Sequence, residues 1–96
     1  PIRIEFLLDF YPSEESVLIR CQFFASEEKR SAAILFANEQ NKINHFARFV
    51  YYSEHQALAL EADVALERSS TGRTLHKILD HMVDICESAF PEWAKW

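Results

Sequence analysis

Ninety-six residues supply one hydrophobic core and leave no room for a second, so residues 1–96 form a single domain. Hydrophobic residues make up 49% and charged residues 26%, the balance of a folded globular chain and not of a disordered one. A formal charge of -5 argues against nucleic acid and against anionic membrane surfaces, because both draw their affinity from lysine and arginine. One glycine and three prolines exclude glycine-rich phosphate loops and long flexible linkers.

Residues Ile2 to Phe10 alternate with a period of two, with Ile2, Ile4, Phe6, Leu8 and Phe10 on one side and Arg3, Glu5 and Asp9 on the other. This predicts a half-buried strand. Tyr11 to Glu15 is a turn, since Pro12 cannot continue a ladder. Ser16 to Ala25 is a second strand, with Val17, Ile19, Cys21 and Phe23 on one face, and the two strands make a hairpin.

Ser26 offers an N-cap oxygen, and Glu27 and Glu28 follow where the helix dipole favours negative charge. The helix is expected to reach Lys42 with a buried stripe of Ala32, Leu35, Phe36 and Ile43. Asn44 to Tyr52 is a third strand and Gln56 to Leu66 a fourth, joined through the polar tetrad 53–56. On the fourth strand Leu58, Leu60, Ala62, Val64 and Leu66 face the core, while Ala57, Ala59, Glu61 and Asp63 face away.

Glu67 to Arg73 reads as a loop. Thr74 then caps a last helix whose stripe is Leu75, Ile78, Leu79, Met82, Ile85, Cys86 and Phe90. Pro91 is expected to stop it, leaving Trp93 and Trp96 as apolar bulk at the end of the chain. The order ββαββα predicts an α+β domain, an antiparallel sheet of about four strands with two helices packed on one face. On the third strand Phe46, Val50 and Tyr52 are assigned to the core. Phe49 and Tyr51 are then left on the open face beside Phe24, where an apolar patch marks an interface.

The asparagines at the end of the first helix (Asn38, Asn41, Asn44), the Arg48-led aromatic strand and the LEADVAL strand give a pattern that resembles the YbjN-like family. Its members are described as bacterial sensory-transduction regulators. The family is similar in fold to the small acidic chaperones of type III secretion, which work as homodimers and hold an extended partner segment. That resemblance implies a fold and a mode of association, not a reaction. Those chaperones usually begin with a helix before the first strand. A chain beginning at Pro1 fits either removal of an initiator methionine or a fragment lacking that helix.

No residue pattern for catalysis stands out. His76 and His81 lie about 140° apart around their helix, too far to share a metal. His76, Asp80 and Asp84 do share a face, which leaves a small metal-binding protein or enzyme as an alternative reading. Cys21 and Cys86 fall on apolar faces, as expected of buried thiols in a reducing, cytoplasmic compartment, with a disulfide between them as an alternative that nothing in the sequence supports. Residues 69–74 lack the first glycine and the lysine of a P-loop. The chain contains no signal peptide and no apolar run near the ~20 residues that span a bilayer.

The sequence thus predicts a non-enzymatic, chaperone-like binding or regulatory homodimer without cofactor or metal. A structural domain of a longer chain is a further alternative. The expected contacts are Phe24, Phe49 and Tyr51, with Glu61 and Asp63 as an acidic rim that selects basic or neutral partners.

Overall fold

Two antiparallel hairpins meet at their inner strands to make one sheet. The structure, a computed structural model, describes residues 5–65 and 71–94. Strand β1 spans Leu7–Tyr11, β2 Ser16–Phe24, β3 Arg48–Tyr52 and β4 Ala57–Ala65; helix α1 spans Arg30–Asn41 and α2 Thr71–Trp93. The spatial order is β1-β2-β4-β3, antiparallel throughout, so the α+β architecture matches the sequence reading. Its centre is the nine-residue pairing of β2 with β4, from Ser16 opposite Ala65 to Phe24 opposite Ala57.

Both helices cover the same face. Cys21, Leu60 and Phe49 form one row across β2, β4 and β3. Cys86 of α2 meets Cys21 in that row, and Phe36 of α1 meets Phe49. Beneath the helices Val17, Ile19, Leu58, Leu60, Ala62 and Val64 are buried, as their alternation requires.

Several elements differ from expectation. The first four residues lie outside the described part of the chain. All five residues of β1 are exposed, because it is an edge strand that the helices do not cover. Its Leu8 and Phe10 oppose Ile19 and Val17 on the helix side, yet stand only at the rim of the core. The Tyr11 to Glu15 turn is a short 3-10 helix, Pro12–Glu14. Ser26 makes no capping bond with its side chain, since a 3-10 turn at Glu27–Lys29 precedes α1.

The buried side of α1 is Ala33, Phe36 and Ala37, not Ala32, Leu35 and Ile43. Two alanines bring the helix close to β3 while Phe36 reaches inward; Leu35 and Ile43 are exposed instead. Strand β3 starts four residues later than expected, because residues 45–47 bend before it. Helix α2 begins at Thr71, so Thr74 lies within it, and it continues through Pro91 to Trp93. Its buried side is Met82, Cys86, Ala89 and Trp93, while Phe90 is exposed. The expected core position Leu66 and most of the loop before α2 fall outside the described residues.

Trp93 completes the core. Its ring centre lies 4.0 Å from Phe23, 5.9 Å from Phe36 and 6.3 Å from Phe49, mostly in tilted or edge-on contacts of the kind aromatic quadrupoles favour.

Candidate protein-interaction surface

No element among the described residues covers the sheet face opposite the helices, and its composition follows from the strand register. Phe24, Ala57 and Tyr52 form one row, and Gln22, Ala59 and Val50 the next. Then come Leu7, Arg20, Glu61 and Arg48, and after them Asp9, Leu18 and Asp63. Ala57 and Ala59 are buried on this open side because larger neighbours close over their methyl groups.

A polar knot fixes the middle of the face. Arg20 Nε donates to Glu61 Oε2 at 2.8 Å, and the Tyr52 hydroxyl donates to the same oxygen at 2.5 Å. The Arg20 guanidinium carbon sits 5.7 Å from the centre of the Tyr52 ring, within cation–π range. Burial works against the Arg20 charge, but the hydrogen bond and charge of Glu61 outweigh it and raise the arginine pKa. The hydrogen bond to Glu61, then burial, then the Glu61 charge hold the Tyr52 phenol above its ordinary value. Each group is ordered by the other two before any partner arrives.

Around this knot lie exposed apolar side chains. Phe24 is 75% exposed, Leu7 54% and Tyr11 42%, all pointing to the uncovered side. Asp9 and Asp63 flank Leu18 and supply an acidic border.

At one corner the ladder is unfinished. β3 ends its pairing at Arg48 opposite Glu61, while β4 runs on to Ala65. The main-chain groups of Phe49 bond to Asn41 and so point away from β4. By alternation Arg48 and Glu61 face each other, and the next outward groups of β4 belong to Asp63, past the end of β3. A cleft of about 580 Å³ opens there, between the 44–47 bend and Arg48 on one side and Glu61 and Asp63 on the other.

The structure divides the five expected contact residues. Phe24, Glu61 and Asp63 lie on the open face. Phe49 does not: it is 2% exposed and packs on Phe36 and Trp93. Tyr51 is half-buried on the same helix-covered side, and its hydroxyl donates to the Ala25 carbonyl at 3.1 Å. The reason is register, since Phe49 opposes Leu60 and Tyr51 opposes Leu58, both core positions. Val50 and Tyr52 occupy the open side instead, and the aromatic patch is smaller than the sequence suggested.

On α2, His76 Nε2 lies 3.4 Å from Asp80 Oδ2, and both side chains are largely exposed. Asp84 is exposed as well, and no cluster of metal-ligating side chains occurs among the described residues. His81 packs edge-on against Phe46 with ring centres 5.2 Å apart. No helix among the described residues is long and apolar enough to cross a membrane.

The fold and this surface define an α+β domain with one helix-covered and one open sheet face. No family model, no curated protein and no solved structure matches the chain.

Proposed function

We propose that this chain is a non-enzymatic protein-binding or regulatory module that works as a homodimer in a chaperone-like manner. The observation that carries this reading is the uncovered sheet face, with Phe24 almost fully exposed at one end and the exposed strand β1 along one side. An edge strand with free main-chain groups and large apolar side chains is a template for pairing with another chain. Leu7, Leu8, Phe10 and Tyr11 supply those side chains on both sides of β1. A second copy meeting β1 edge to edge extends the sheet and sets the β1 side chains of the two copies alongside one another. The open face of each copy then remains for an extended segment of a partner, which the acidic border of Asp9 and Asp63 biases toward basic or neutral sequences. The resemblance to YbjN-like regulators and secretion chaperones supports the same mode of association.

The test is molecular mass in solution by light scattering, with Leu7→Asp and Phe24→Asp beside the wild type. A wild-type dimer that Leu7→Asp splits into folded monomers, and that Phe24→Asp leaves intact, supports β1 as the joint and the face as the partner site. A monomeric wild type at high concentration overturns the homodimer.

A further inference from the structure

Two thiols sit side by side in the core. Cys21 lies mid-way along β2 on the helix-covered side, and Cys86 lies on the inward face of α2. Their sulfurs are 4.0 Å apart, and the residues are 1% and 0% exposed. Both are free. Each thiol has the other as its polar partner, with Cys86 donating to Cys21, amid apolar neighbours such as Ile19, Leu60 and Met82. A disulfide needs a sulfur separation of about 2 Å, so rotation of the two side chains and a slight slide of α2 close the gap.

We propose that Cys21 and Cys86 form an oxidisable pair, converted by a hydroperoxide into a disulfide that staples α2 to a central strand. A groove of about 350 Å³ between α1 and α2, lined by Leu35, Phe36, Ser88 and Ala89, stops short of both sulfurs, so a small neutral oxidant reaches them when α2 opens locally. Its floor reaches Ala89, one helical turn beyond Cys86.

The roles within the pair are unequal. The hydrogen bond from Cys86 outweighs burial and lowers the Cys21 pKa, whereas that same bond, with burial added, raises the Cys86 pKa. Cys21 accepts the Cys86 S–H, a bond that stabilises its thiolate, so in the proposed reaction Cys21 attacks and Cys86 resolves. The Cys21 thiolate attacks one oxygen of hydrogen peroxide. The O–O bond breaks, a sulfenic acid forms, and hydroxide leaves to become water with the proton Cys21 gave up. The Cys86 sulfur then displaces the sulfenic oxygen, and its proton leaves with that oxygen as a second water. Two thiols and one peroxide give one disulfide and two waters.

The experiment treats the folded wild-type chain with hydrogen peroxide, followed by unfolding, alkylation and intact mass. The expected product has lost two hydrogen atoms, takes up no alkylating agent and yields a Cys21–Cys86 peptide link that dithiothreitol reverses. Its melting temperature rises by roughly 10 °C or more, because the link closes a long loop. In Cys86→Ala the sulfenic acid at Cys21 persists and reacts with dimedone, while Cys21→Ala gives no such adduct. Two thiols that both still alkylate after exposure, or disulfides formed only between molecules, overturn the proposal. The wild-type result stands alone if either variant fails to fold.

Discussion

Asn41, the last residue of α1, engages both outward main-chain groups of Phe49. The Phe49 N–H donates to Asn41 Oδ1 at 2.8 Å, and Asn41 Nδ2 donates to the Phe49 carbonyl at 2.9 Å. One amide side chain stands where the next strand would pair, and it closes part of the β3 edge against unwanted partners. Only an amide offers a donor and an acceptor side by side. Asn41→Ala should cost about 1–3 kcal/mol by urea unfolding, since it leaves half-buried groups without partners. Asn41→Asp keeps the acceptor but sets a carboxylate oxygen against a carbonyl, so it should cost at least as much at neutral pH.

Trp93 joins the end of α2 to three other rings, and its removal empties the middle of that cluster. Trp93→Ala should destabilise the chain by about 3–5 kcal/mol and abolish most of the near-ultraviolet circular dichroism. Trp93→Phe should retain more than half of the lost stability.

Phe49 and Phe24 give opposite outcomes to the same change. Phe49→Asp buries a charge among Phe36, Leu60 and Trp93 and should unfold the chain. Phe24→Asp touches an exposed site and should change stability by no more than about 0.5 kcal/mol. Denaturant midpoints for the two variants check this directly. They also show that only the second is usable as a probe of association.

Tyr52 links the open face to alkaline pH. Its phenol keeps its proton above the ordinary value of 10.0, chiefly through the hydrogen bond to Glu61. A group with a raised folded pKa contributes stability fully below the unfolded pKa, and that contribution is lost as pH rises through the folded value. Stability should therefore fall above pH about 10, and Tyr52→Phe should remove part of that slope. Ultraviolet titration should show one tyrosine ionisation above the ordinary range, missing in Tyr52→Phe and shifted down in Glu61→Gln.

Much of this was legible in the residues. The alternation of 58, 60, 62 and 64 names the core side of β4, and the stripe from Leu75 to Cys86 names that of α2. The orientation of β3 was missed although the sequence held it. A four-residue connection over 53–56 pairs Tyr52 with Ala57, and that register carries Phe49 onto Leu60 and into the core. Counting Phe46 into the strand inverted the choice, because the bend at 45–47 breaks the alternation. The inward role of Trp93 was hidden by Pro91, which usually ends a helix; here the helix gives up one bond at Pro91 and runs on to Trp93, with the Ala94 N–H still donating to the Phe90 carbonyl. In the knot of Arg20, Glu61 and Tyr52 the facing of Glu61 by a basic residue on a neighbouring strand is legible from the alternation, whereas the Tyr52 arm needs the register of β3.

The cross-packing of the two helices has a consequence for how the chain comes apart. Read along the sequence, the domain is two hairpin-plus-helix units, yet each helix also reaches the other unit's strands: Phe36 meets Phe49, and Cys86 meets Cys21. Trp93 packs on Phe23 of one unit and Phe49 of the other, and the seam between the units is the longest ladder in the sheet. A break along that seam takes part of the support from both helices at once. Half of this molecule is not expected to fold alone, and the whole should unfold in one cooperative step.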